Sequence, residues 1–282
     1  MQDNIPSKTA FRVAMRRAVH QLIDDPKVLD DPLAVAILGG ETASALKASP
    51  EQFERLGTAN LRAFVAARSR FAEDQLATAV EDGVRQYVVL GAGLDTFAYR
   101  NPFEKLEVIE VDHPATQAWK RDLLAEAGIA IPGSMSFVAV DFARQTLRAE
   151  LSRSKFQTTE PAFFSWLGVV PYLTRDAALG TLRWIGSLPS GTAVVFDYAI
   201  ARTALSFLER TALDALSRRV ARAGEPFQLF FEPGELAETL RAAGFQHVED
   251  LGAAEINGRY FANRRDGLEI RGNLGHLIFA QV

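Results

Sequence analysis

Short apolar runs separated by helix-length stretches leave this chain few ways to fold. Gln86–Leu90 (QYVVL), Glu107–Val111 (EVIEV), Ser136–Val140 (SFVAV), Ala162–Trp166 (AFFSW) and Ala193–Tyr198 (AVVFDY) are short and rich in β-branched and aromatic residues. Runs of that length and composition read as strands buried on both faces. Ala115–Ala127 and Arg175–Ser187 have a helical pattern and fall between members of the series. Alternating strand and helix demands right-handed crossovers, and therefore a parallel sheet in an α/β fold. Glu235–Ala243 reads as a further helix closed by Gly244, with Phe245–Leu251 and Leu274–Gln281 as two late strands. The stretch joining those two is polar and rich in Gly and Arg, which predicts a hairpin on the otherwise parallel sheet.

Upstream of the first strand the pattern is helical. Phe11, Ala14, Ala18 and Leu22 share one face of Ala10–Ile23, Thr9 stands where a cap belongs, and Asp24-Asp25-Pro26 ends the helix. Asp30-Asp31-Pro32 repeats the punctuation and predicts a short helix from Pro32. Glu51–Ala79 carries one or two long helices with Leu61, Phe64, Val65, Phe71 and Leu76 inward. Residues 1–80 are thus expected to form a helical cap over the strand ends of a core at 81–282, with 202–223 as a second part of the cap. A chain of 282 residues suits one such domain. The formal net charge of -4 argues against a general nucleic-acid binder, whose affinity comes from neutralising phosphates. The absence of cysteine excludes disulfides, zinc–thiolate sites and thiol nucleophiles, and agrees with a cytoplasmic location. No apolar run is long enough for a signal peptide or a bilayer span, so no membrane partner is expected.

The chemistry concentrates at the ends of three successive strands. The first runs into Gly91-Ala92-Gly93-Leu94-Asp95-Thr96, where glycine permits a sharp turn and a close approach by a ligand. Roughly 20 residues on, Asp112 ends the second strand, where a carboxylate accepts hydrogen bonds from both hydroxyls of a ribose. Asp141 ends the third, in a position suited to an adenine amino group with Phe142 beside the ring. The competing interpretation is a set of turn glycines and helix-capping aspartates. A dinucleotide fingerprint would place a third glycine where Thr96 stands, and Asp95 would repel a pyrophosphate. A sulfonium cofactor has no phosphate, and its positive charge suits a carboxylate, so S-adenosylmethionine is favoured over NAD. Gly186 and Gly191 have P-loop spacing, but Thr192 follows where lysine is required. Arg68 and Arg70, on the helix before the first strand, are candidates to clamp the cofactor's carboxylate, with Arg17 behind them. For each arginine the other reading is a solvated helix face.

Together these residues resemble the leucine carboxyl methyltransferase family, in its bacterial branch of S-adenosylmethionine-dependent O-methyltransferases. The similarity spans nearly the whole chain. It is carried by Asp31-Pro32-Leu33-Ala34, Leu90–Thr96 with Tyr99-Arg100, Glu110-Val111-Asp112-His113-Pro114, Gln117–Lys120, Val140-Asp141-Phe142, Ser165-Trp166-Leu167-Gly168 and Tyr172-Leu173-Thr174. The resemblance implies a class I, Rossmann-like methyltransferase fold. Its sheet has seven mostly parallel strands in the order 3-2-1-4-5-7-6, the last antiparallel, with an N-terminal helical cap. It implies that Gly91 and Gly93 line the cofactor, Asp112 holds the ribose, Asp141 and Phe142 meet the adenine, and an arginine of the 68–70 pair binds the carboxylate. Ala92, Asp95, His113, Trp166 and Leu167 complete the expected cofactor-binding set. Leu167 departs from the pattern, since related proteins commonly have glutamate there. Trp166 and Tyr172 are expected as pocket walls, although Trp166 reads equally well as a core aromatic.

None of His20, His113, His247 and His276 has metal-ligand spacing, and no Gly-x-Ser-x-Gly elbow occurs. No catalytic residue is assigned. A carboxylate acceptor, with a pKa of about 4, needs no base at neutral pH, whereas a phenol near 10 would benefit from His20 or His113. The expected activity is O-methylation of a carboxylate or hydroxyl on a small metabolite. The alternatives are methylation of a protein C-terminal carboxylate, a non-catalytic adenosyl-binding protein, and a nucleotide-dependent oxidoreductase, which Thr96 counts against.

Overall fold

The computed structural model describes residues 7–53, 59–141, 145–222 and 226–282. Its elements, in chain order, are α1 (Lys8–Ile23), α2 (Gly40–Ala48), α3 (Ala59–Glu81), β1 (Gln86–Leu90), β2 (Glu107–Asp112), α4 (Pro114–Glu126), β3 (Met135–Ala139), α5 (Leu147–Leu151) and β4 (Phe163–Trp166). Then follow α6 (Arg175–Ile185), β5 (Ala193–Ile200), α7 (Phe207–Arg222), β6 (Phe230–Phe231), α8 (Pro233–Ala242), β7 (His247–Leu251), α9 (Ala253–Tyr260) and β8 (Gly275–Gln281). The sheet order is β3-β2-β1-β4-β5-β8-β7, and β6 pairs with the end of β5. β8 runs antiparallel to both its neighbours, and the other pairings are parallel. With the two-residue β6 set aside, this is the expected 3-2-1-4-5-7-6 order.

Alternation along the strands splits the interior into two layers. Val88 and Leu90 of β1 face a core shared with Phe164, Phe196, Leu182 of α6 and Leu236 of α8. Tyr87 and Val89 face the opposite core, with Phe163, Val195, Phe71 and Leu76 of α3, and Ile256 of α9. Helix α3, expected within a cap, therefore packs on the sheet itself. A third, smaller core joins Ala14 and Ala18 of α1 to Leu94 and to Leu123 and Leu124 of α4. Among the described residues no helix is long and apolar enough to cross a membrane.

The boundaries correct several expectations. Ser7, not Thr9, caps α1, accepting the Ala10 N–H at 3.1 Å. The helix expected from Pro32 is only a 3₁₀ turn at Ala36–Leu38. The link between the last two strands is not a simple hairpin loop, because α9 lies within it. Its Asn257-Gly258 pair reads as a turn, yet Ile256 is fully buried and anchors the helix. The Asn257 side chain exchanges two bonds of 2.8 Å with the backbone of Ile270.

One buried ion pair supports the sheet just below its open end. Lys120 Nζ of α4 lies 2.6 Å from Glu110 Oε2 of β2, both side chains being 1% exposed. Burial pushes the Glu110 carboxyl up to about 7 against the pull of Lys120. Lys120→Met strands that carboxylate and is expected to cost about 3–5 kcal/mol in urea unfolding at alkaline pH. The loss shrinks at acid pH, where Glu110 binds a proton, and most of it is recovered by adding Glu110→Gln. An undiminished loss in the double variant would contradict the pairing.

Candidate functional site

Beyond the carboxyl ends of β1, β2 and β3 the chain cannot continue as sheet, because Gly91 and Gly93 take φ of +67° and +49°. That is the left-handed region in which only glycine is free of strain. At Gly91 space also decides, since a Cβ there would sit 2.4 Å from Val169 Cγ2. The N–H groups of Gly91 and Ala92 both donate to the Val111 carbonyl, which folds the loop back over β2. Asp112, the last residue of β2, holds the loop from beneath. Its Oδ2 accepts the Gly93 N–H and its Oδ1 the His113 N–H, each at 2.6 Å. Burial pushes the Asp112 carboxyl above the ordinary carboxylate range, although the two N–H groups pull it back.

A buried guanidinium joins this loop to α1. Arg17 donates to Asp31 Oδ2 at 2.9 Å, to Thr96 Oγ1 at 3.0 Å and to Asp95 Oδ2 at 3.3 Å. The Thr96 hydroxyl in turn donates to Asp31 at 2.7 Å. Thr96 is thus a member of an ion network rather than an empty departure from a glycine fingerprint. Asp95 also accepts the Phe97 N–H at 2.8 Å, which fixes the turn that follows. The terminal nitrogens of Arg17 are committed to these partners, while its buried Nε has no hydrogen-bond partner among the described residues.

The loop, α1 and the strand ends enclose a cavity of about 360 Å³. Arg68, Gly91, Ala92, Gly93, Asp95, Asp112, His113, Asp141 and Leu167 all line it. Two described residues of the expected set do not join them. Arg70 is exposed, bonds Asp74 at 2.6 Å and lines no described cavity. It is two residues from Arg68, so it emerges on another side of α3. Trp166 is 1% exposed within the core, and its ring nitrogen has no hydrogen-bond partner among the described residues. Phe142 lies outside the described residues.

A second cavity of about 320 Å³ adjoins the first, and Thr9, Val13, Arg68, Gly168 and Tyr172 line both. Arg68 stands at this junction. One terminal nitrogen bonds Asp197 Oδ2 at 3.1 Å, while the buried Nε has no hydrogen-bond partner among the described residues. Asp197 Oδ1 accepts the Gly168 N–H at 2.5 Å. Gly168, at φ +72°, leaves room for the guanidinium, because a Cβ there would lie 2.7 Å from Arg68. Asp197 is the residue that sequence reasoning missed. The signal was a lone acid inside the apolar run AVVFDY, where a buried charge demands a partner.

Neither candidate histidine is built as a base. His20 is fully buried and lines neither cavity; its Nε2 accepts from Val28 and Leu29 N–H, so its Nδ1 carries the proton bonded to Asp24. His113 caps α4 by accepting the Ala115 N–H on Nδ1 at 3.2 Å, which leaves Nε2 as the protonated nitrogen of the neutral ring.

The family described as leucine carboxyl methyltransferase matches residues 10–186. YktD of Bacillus subtilis (strain 168), provisionally named an S-adenosyl-L-methionine-dependent methyltransferase, is 32% identical over 291 residues, covering 95% of each chain. A Mycobacteroides abscessus protein with the same provisional name is 35% identical over 167 residues, 58% of this chain and 55% of that one. Two solved structures share the fold, both with a TM-score of 0.56. One is a DUF574 family protein from Streptomyces avermitilis, 19% identical over 94% of this chain and 96% of that one. The other is a Thermobifida fusca protein provisionally named a methyltransferase, 18% identical over 91% of this chain and 96% of that one.

Gly91→Ala is expected to lower stability by about 1–3 kcal/mol in thermal or urea unfolding. Adding Val169→Ala removes the clashing methyl but not the backbone strain, so it restores only part. Full recovery would show that the left-handed conformation is not a constraint.

Proposed function

The chain belongs to the leucine carboxyl methyltransferase family, and from that premise we propose that it moves a methyl group from S-adenosylmethionine to an oxygen of a small-molecule acceptor. The observation that carries the reading is the state of Asp112. Each of its oxygens takes one backbone N–H and keeps lone-pair capacity, and the residue lines the cavity, which suits the paired hydroxyls of a ribose. The other donors fit the same cofactor. Asp95 and Asp141 line the cavity and suit groups that are positive or donate protons, whereas they would oppose a pyrophosphate. The orphaned Nε of Arg68 suits a carboxylate, and Gly91 and Gly93 let a ligand approach the backbone. Asp112 would hold the ribose, Asp141 the adenine amino group, and Arg68 the amino-acid end.

When bound, the cofactor supplies an activated methyl group on its sulfonium, so the protein's contribution is placement and exclusion of water. The junction residues Gly168 and Tyr172 would present the acceptor to the cofactor cavity. Placement of this kind is worth roughly 7–11 kcal/mol. With His113 Nδ1 taken by the Ala115 N–H and His20 lining neither cavity, neither of these histidines is poised to take a proton. That supports an acceptor oxygen already ionised at neutral pH, a carboxylate before a simple alcohol. Leu167, an apolar side chain in the cavity wall, adds no base.

Protein incubated with methyl-labelled cofactor and a small-molecule extract is expected to place label in low-mass products that mild alkali releases as methanol. Alkali-stable label would assign a hydroxyl acceptor instead. Label confined to macromolecules would sink the small-molecule reading.

A further inference from the structure

The two adjoining cavities have opposite charge, and α1 divides them by its own periodicity. Ala10, Ala14 and Arg17 face the cofactor cavity, Thr9 and Val13 the junction, and Arg12 and Arg16 the second cavity. Among the described residues the cofactor cavity is lined by the carboxylates of Asp95, Asp112 and Asp141, with Arg17 and Arg68. Among the described residues the second is lined by Arg12, Arg68 and Arg271 and by the carboxylate of Asp197, which is already bonded to Arg68 and the Gly168 N–H. This local excess of positive charge occurs in a chain of net charge -4.

The charges are also distributed by depth. Arg12 and Arg271 are exposed, so they stand at the mouth, whereas Arg68 is 7% exposed at the buried junction. Arg271 is only loosely neutralised: its Glu269 partner is a surface pair at 2.9 Å, of the kind worth little in water. Between mouth and junction the walls are apolar, supplied by Phe64, Leu213, Leu216, Phe227 and Ile270.

We infer that the second cavity takes a two-ended acceptor: an apolar body, an anionic anchor held at the mouth by Arg12 and Arg271, and the reacting oxygen at the buried junction beside Gly168 and Tyr172. This rests on the methyltransferase reading for the identity of the junction, but not for the charge preference of the cavity. The anchor is a group separate from the oxygen that receives the methyl. The acceptor class is therefore an aliphatic or aromatic acid bearing a second oxygen function at its far end. A neutral or cationic apolar molecule of the same length would leave the mouth arginines unanswered.

The test compares octanoate, octan-1-ol and octylammonium as probes, by calorimetry on the full chain, with S-adenosylhomocysteine titrated in parallel. Octanoate is expected to bind about tenfold more tightly than octan-1-ol, and octylammonium not to bind. The Arg12→Ala/Arg271→Ala variant should reduce octanoate to the affinity of octan-1-ol and leave S-adenosylhomocysteine binding unchanged. Leu216→Trp, which fills the apolar waist, should weaken octanoate and octan-1-ol alike. Equal affinity for octanoate and octan-1-ol, or an arginine variant that keeps the preference, would overturn the inference. Loss of S-adenosylhomocysteine binding by the unaltered protein would instead strike the methyltransferase reading, and the octanoate preference would still be decided by its own titrations.

Discussion

The buried guanidinium of Arg17 is the interaction on which the site depends. Asp31 is wholly buried, and burial alone would push its carboxyl up. The charges of Arg17 and Arg100, with the Thr96 hydroxyl, outweigh that and hold it below the usual carboxylate range. Its contribution to stability is therefore present above the ordinary carboxylate pKa and is lost as pH falls through the depressed value. Removing either partner from such a pair leaves an uncompensated charge in a dry interior. Structurally, the network fastens α1 to the loop that begins at Gly91, and α1 is the common wall of both cavities. A looser α1 would widen the cofactor site and the junction together.

Placement of charge then separates the two binding regions within a few turns of helix. Carboxylates at the ends of β2 and β3 suit a cationic cofactor, while arginines on the other side of α1 suit an anion. Asp197 and Arg68 are ion-paired where the cavities meet. Gly168 makes that pairing sterically accessible.

Much of this was legible in the chain. Strand length and β-branched composition pointed to the parallel core, and Gly91, Asp112 and Asp141, spaced to fall at three strand ends, do line one cavity. The choice between Arg68 and Arg70 was also open to reading. Leu61, Phe64, Val65 and Phe71 mark the buried stripe of α3, and Arg68 falls in it while Arg70 does not. Three features were not readable. The partners of Thr96 are 65 and 79 residues away in sequence, so its hydroxyl looked like a bare substitution for glycine. The Asn257-Gly258 pair signals a turn locally, and only tertiary burial of Ile256 makes it helix. The two residues of β6 are too few to carry a periodic signal.

Isothermal titration with S-adenosylhomocysteine, beside an Asp112→Ala variant shown to be folded, tests the central claim most directly. The account predicts one saturable site per chain in the unaltered protein and loss of that binding in the variant. No binding by the unaltered folded protein, or equal binding by both, would contradict it and leave the Gly91 loop a structural turn.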